Sequence, residues 1–224
     1  MRLLCVDTST FFETVALTDG LEIIAERCVE RRRGHATGIL DDVVAVLADA
    51  GWQMDDIEGY ACGLGPGGFT GLRIGLSTAK GFALALNRPL FGARSTQLLL
   101  AAAGSEDAVA IVDARRDEVY LDGGPLDTPV CTGPATISDY LDPSMPWVFV
   151  GDGAVRYRTT LENIFPRCVI AQDETQHRPR AGLLPQFIDR ACPASATTLE
   201  PVYIRKSDAE MNYPDGFPSA FQGK

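Results

Sequence analysis

The chain starts over near its midpoint, and that repetition restricts its fold more than any single motif does. LLCVD (residues 3–7), a polar turn and ETVAL are matched by VAIVD (109–113), a turn and DEVYL. Each is a buried strand ending in Asp, followed by an alternating strand. Farther on, IEGYACGLG leads through glycines into a helix, and WVFVGDGAVRYRTTLENIF repeats strand, GxG turn and helix. Two matches in the same order indicate an internal duplication. In the first half the Asp19-Gly20 turn and LEIIAERCVE complete a three-strand meander. A helix over 36–50 carries one stripe of Ile39, Val43, Val46 and Ala50 with Leu40, Val44 and Leu47 beside it, and Gly51 ends it. A strand, a helix over 70–86, a short strand near PLFGA and the helix STQLLLAAAG follow. The expected fold is α/β: two lobes, 1–105 and 106–200, with mixed sheets flanked by helices and a cleft between them, then a tail over 201–224.

At 224 residues the chain is long enough for two such lobes, and 46% hydrophobic with 22% charged residues is ordinary globular composition. A net charge of −10 argues against nucleic acid as a partner for the chain alone, because phosphate binding rests on Lys and Arg. Cys5, Cys28, Cys62, Cys131, Cys168 and Cys192 form no CxxC pair and read as buried thiols of a reducing cytosol. Asp7 interrupts the first apolar run too early for a signal peptide, and no run approaches the roughly 20 apolar residues of a membrane span. A cytoplasmic protein is expected.

The most distinctive segment is GLGPGGFTGLRIGLSTAKGFALAL (63–86). Gly63, Gly65 and Gly68 satisfy GxGxxG, but on the fourth strand, and no Asp or Glu lies between Gly59 and Ser105 to hold a ribose. No Gly-Lys-Ser/Thr ends the turn, which removes the Walker A reading as well. What remains is backbone that must approach something closely. Gly71, Gly75, Ala79 and Ala83 recur every four residues and line one helix face. That face either packs on the chain's own sheet or receives another molecule. Arg73, Lys80, Arg88 and Arg94 are the only charges between Gly59 and Ser105, a local basic edge on an acidic chain.

VDTST after the first strand, the glycine segment, VDARRDEVY and PVYIRKSDAE appear in this order over most of the chain. In these motifs the sequence closely resembles the TsaB (YeaZ) family. The resemblance implies the duplicated fold of acetate and sugar kinases, Hsp70 and actin. It further implies a noncatalytic dimerisation subunit, required when the partner TsaD transfers a threonylcarbamoyl group to N6 of adenosine 37 in tRNA. The ATPase TsaE would join the pair, tRNA would be met only through the complex, and the lone protein would be a homodimer. The implied interface lies on the 36–50 and 70–86 helices: His35, Ile39, Val43, Val46, Gly71, Leu72, Gly75, Leu76, Ala79 and Phe82. Family members usually carry a hydroxyl where this chain has Gly68, and the stretch between DEVYL and WVFVGDG is compact.

In ATPases of this fold, phosphates sit between two glycine-bearing hairpin turns and Asp carboxylates hold a metal through water. Asp7 and Asp113 stand at those places, with Thr8 and Ser9 in the first turn. Yet TSTFFE and ARRDE hold no glycine, and Phe11, Phe12, Arg115 and Arg116 add bulk, so this reads as a vestigial nucleotide cleft. No cofactor is expected, except ATP or ADP at a complex interface. His35 and His177 form neither HxxxH nor HExxH, so no metal site is expected, and GGFTG is not a GxSxG elbow. No catalytic residue is assigned. The alternatives are a stand-alone ATPase or small-molecule kinase working through Asp7 and Asp113, or a peptidase acting on a partner.

Overall fold

The computed structural model describes residues 1–31 and 35–205. The apolar opening run forms β1 (Arg2–Asp7), which pairs antiparallel with β2 (Phe12–Asp19), and β2 pairs antiparallel with β3 (Glu22–Glu30). After α1 (His35–Ala50), β4 (Gly59–Gly63) lies parallel to β1; after α2 (Phe69–Ala85), β5 (Leu90–Ala93) lies parallel to β4. Alternation along β1 supplies both faces of this sheet. Leu4 and Val6 meet α1 and α2, while Leu3 and Cys5 meet Leu98, Ala181 and Leu184 on the other side.

The helix α3 (Ser95–Ala103) leads to β6 (Ala108–Arg115), β7 (Glu118–Gly123), β8 (Val130–Thr132) and β9 (Val148–Val150). The chain continues through α4 (Asp152–Arg156) and α5 (Arg158–Ile164) to β10 (Val169–Ile170). The first sheet has the order β3-β2-β1-β4-β5, and the second repeats it as β8-β7-β6-β9-β10. The duplicated, two-lobe α/β fold is therefore present, with two five-stranded mixed sheets flanked by helices.

The copies are unequal. All five strands survive in the second, but β8 has 3 residues against 9 in β3, and one 3-10 segment, Pro134–Asp139, stands where the first lobe has α1. This is the compact stretch noted in the sequence. Between the sheets, α3 serves both: Leu98 is buried in the first core and Leu99 in the second. Of the expected tail, residues 201–205 are described and cross from lobe to lobe. The Val202 amide donates to the Leu64 carbonyl at 2.7 Å, Ile204 packs on the second core, and Arg205 Nη1 meets Glu118 Oε2 at 2.5 Å. Residues 206–224 lie outside the described part.

Cys5 and Cys62 are buried, and burial pushes the Cys5 thiol up to about 12 and the Cys62 thiol higher still. Contrary to the expectation of six buried thiols, Cys28 and Cys192 are exposed, and Cys131 and Cys168 are half-buried. Among the described residues no group of three or more His, Cys, Asp or Glu is placed to hold a metal, and no helix is long and apolar enough to cross a membrane.

The β6–β7 hairpin carries conformational strain. Arg115 pairs with Glu118, leaving Arg116 and Asp117 as a two-residue turn with φ of 53° and 56°, and Arg115 itself sits at 66°. Left-handed backbone at both central positions is the type I′ geometry that Asn-Gly adopts without a Cβ penalty. The double substitution Arg116→Asn/Asp117→Gly is expected to raise the unfolding free energy by about 1 kcal/mol, measured by urea denaturation.

Candidate functional site

The first turn of the expected cleft is sealed by the glycine loop. Asp7 ends β1 fully buried, and its carboxylate accepts from the Ser9 amide at 2.9 Å, the Ser9 hydroxyl at 2.7 Å and the Ser95 hydroxyl at 2.5 Å. Ser95, from the start of α3, also accepts from the Gly65 amide at 3.0 Å, tying the loop to the carboxylate. These donors compensate the burial of the charge. The loop fits only because it lacks side chains. A Cβ on Gly63 would fall 1.7 Å from Asp7 Oδ2, and one on Gly67 2.2 Å from the Ser9 carbonyl oxygen. Thr8 completes the seal by donating to the Gly71 carbonyl at 2.7 Å, and a Cβ on Gly75 would lie 2.3 Å from its hydroxyl. Gly68 donates its amide to the Ser9 carbonyl at 2.7 Å.

The second turn is filled by arginine. Asp113 ends its run on β6 and accepts from Arg115 Nη1 at 2.9 Å and Arg156 Nη1 at 2.7 Å. The Asp113 amide donates to Asp152 Oδ1 at 3.0 Å. Asp152 is the middle residue of the second lobe's GDG turn. Burial, reinforced by the Asp113 charge, pushes its carboxyl up to about 6 against the pull of the amides of Asp113 and Gly153. Asp7, Thr8 and Ser9 are thus brought together with Ser95, and Asp113 with Asp152 and Arg156. Sequence reading missed Ser95, Asp152 and Arg156. The GDG turn was a signal for Asp152, whereas Ser95 lies 88 residues from its partner and left none. Neither turn presents the row of open backbone N–H groups that wraps a phosphate. His177 joins neither carboxylate cluster; it is buried with its ring nitrogens 3.0 Å and 2.9 Å from the carbonyls of Gly151 and Ala171.

The helix pair divides differently from the sequence pattern. Ile39, Val43 and Val46 of α1 and Leu72, Leu76 and Ala79 of α2 are buried against the chain's own structure. The small-residue face of α2 is occupied as well, since Gly71 and Gly75 meet Thr8. Phe82 is half-buried and stacks on Tyr60 with centroids 5.7 Å apart. His35 begins α1, but its side chain lies outside the described residues. What these helices leave open is a second apolar set: Leu40 at 55%, Val44 at 66% and Leu84 at 64% exposure. Beside it Phe69, Thr70, Arg73, Ile74, Ser77 and Thr78 line an open groove of about 500 Å³. Tyr203 borders the groove, its ring 5.0 Å from that of Phe69 and its hydroxyl accepting from Arg73 Nε at 3.1 Å.

A family model for TsaD, tRNA N6-adenosine threonylcarbamoyltransferase, matches residues 23–126. The tRNA threonylcarbamoyladenosine biosynthesis protein TsaB of Bacillus subtilis is 27% identical over 95% of this chain and 98% of its own length. The Escherichia coli protein of the same name is 37% identical over 54% of this chain and 53% of its own length. Among solved structures, YeaZ from Pseudomonas aeruginosa matches with a TM-score of 0.73 at 27% identity, covering 90% of this chain and 99% of that one. EutJ from Carboxydothermus hydrogenoformans shares the fold, with a TM-score of 0.53 at 11% identity over 82% of this chain and 90% of that one.

Two outcomes test this geometry. Gly75→Ala is expected to cost about 1–3 kcal/mol in denaturant unfolding. In a Thr8→Ala background it should cost markedly less, because the clashing hydroxyl is gone. For Asp152, the folded state keeps a proton that the unfolded chain releases near 3.8, so the stability from the protonated form is complete below about pH 4 and lost as pH rises through about 6. Asp152→Asn should therefore gain about 2–3 kcal/mol over wild type in going from pH 4 to pH 7, read as the pH dependence of the difference in unfolding free energy.

Proposed function

The chain belongs to the TsaB (YeaZ) family, and we propose from that premise that it serves tRNA threonylcarbamoyladenosine biosynthesis as a noncatalytic subunit. The observation that carries this reading is the sealed first turn: Asp7 is taken up by Ser9 and Ser95 beneath glycine backbone, where an ATPase of this fold keeps a carboxylate for its metal. A chain that fills its own cleft acts through its surface. The surface that favours a partner is the outer side of α1 and α2, where Leu40, Val44 and Leu84 are exposed next to the groove at Arg73.

The partner is TsaD. The similarity of residues 23–126, which include both helices, to the TsaD family model supports pairing of like surfaces about a pseudo-two-fold axis, helix pair against helix pair. The same self-complementary face makes a homodimer of the lone chain, in competition with the heteromer. TsaE joins the pair, any ATP or ADP is bound at a complex interface, and tRNA is met through the complex, since a net charge of −10 disfavours phosphate contacts by this chain alone.

Size-exclusion chromatography with light scattering, with and without TsaD from the same organism, tests the reading. Wild type is expected to form a heteromer and to hydrolyse no ATP alone. Val44→Asp/Leu84→Asp, at exposed positions, should stay folded and weaken the heteromer at least about tenfold. A heteromer indifferent to both aspartates overturns the helix-face assignment. ATP turnover by the lone chain that Asp7→Asn abolishes would instead establish the ATPase reading.

A further inference from the structure

The two hairpin turns that face each other across the lobes are joined by stacking. Phe11 and Phe12 stand at the β1–β2 turn. The Arg115 guanidinium lies over the Phe11 ring at 3.9 Å from its centroid, and the Arg178 guanidinium lies over the Phe12 ring at 4.6 Å. Both aromatics belong to the first lobe and both cations to the second.

Each component is held in place from its own side. The Arg31 amide donates to the Phe11 carbonyl at 2.7 Å, fixing the aromatic turn to the first sheet. Arg115 is held twice by Asp113, from its amide at 3.0 Å and its guanidinium at 2.9 Å, and the register shift between Asp113 and Arg115 bends the strand end that carries it. Arg178 meets Glu174 Oε2 at 2.8 Å, and the 3-10 turn Glu174–His177 that precedes it is pinned by buried His177 to Gly151 and Ala171. A guanidinium already oriented by a carboxylate loses little freedom on stacking, which favours the contact.

We infer that Phe11 and Phe12 form a built-in latch that keeps the two lobes closed on each other without a ligand. In two-lobed proteins that close around a ligand, the occupant bridges the lobes; here side chains of the chain itself do so. The strained turn at residues 115–117 fits this role, because backbone in sparsely populated conformations persists where surrounding contacts over-determine it.

Hydrogen exchange and small-angle scattering on the full chain test the latch, using Phe11→Ala/Phe12→Ala and, separately, Arg115→Gln/Arg178→Gln. The second pair changes no first-lobe residue, Asp113 retains Arg156, and Glu174 is exposed, so no buried charge is stranded. Both pairs are expected to raise the radius of gyration and to speed amide exchange at residues 8–12 and 113–118 about tenfold, with exchange in β1 and β4 unchanged. If the phenylalanine pair fails to fold, the glutamine pair decides. Wild-type dimensions and wild-type exchange at both turns in a folded glutamine variant would overturn the latch.

Discussion

The close approach of the glycine segment to the end of β1 is the constraint on which the first lobe depends. Asp7 is a carboxylate at zero exposure, and an isolated buried charge of that kind is prohibitively costly in an apolar interior. It is tolerated because Ser9 and Ser95 donate three hydrogen bonds to it, while Ser95 accepts from the Gly65 amide and so ties the loop to the carboxylate. A Cβ at Gly63 would collide with the Asp7 carboxylate and one at Gly67 with the Ser9 carbonyl. The same requirement sets the position of α2: Gly71 and Gly75 let the helix start directly against Thr8, and the rest of the helix then falls into place over β4 and β1.

Once α2 is fixed in this way, the surface of the lobe follows. A helix anchored by its small-residue face toward the strand ends cannot also offer that face to a partner, so the outward side consists of Arg73, Ser77 and Leu84. The neighbouring α1 has two apolar stripes, and the lobe covers one of them together with Leu47 of the other. Ile39, Val43 and Val46 go inward, and Leu40 and Val44 are left in solvent. The surplus is a product of helix geometry and is independent of what binds there.

Much of this was legible. The duplication, the meander followed by parallel strands and the spans of α1 and α2 to within one residue at each end came from periodicity and turn chemistry, because those signals are local. The glycine stripe was visible too, but its neighbour was not: a pattern that says only that something comes close cannot distinguish Thr8 of the same chain from a helix of another. Ser95 and Arg178 were illegible for a related reason. A hydroxyl 88 residues from its carboxylate and a guanidinium 166 positions from its ring acquire their roles only when two sheets meet.

The charge distribution bears on what the molecule can touch. Several of its arginines are engaged within the chain: Arg31 with Glu13 and Asp42, Arg115 and Arg156 with Asp113, Arg94 with Asp122, and Arg205 with Glu118. A guanidinium bound to a carboxylate contributes little to the far field, so the acidic excess of the whole chain is what a polyanion meets on approach. Two of these pairs, Arg94 with Asp122 and Arg205 with Glu118, join first-lobe or C-terminal residues to β7 and hold the lobes together rather than facing outward. Arginines committed in this way, within a lobe or between lobes, are not free to neutralise a phosphate backbone.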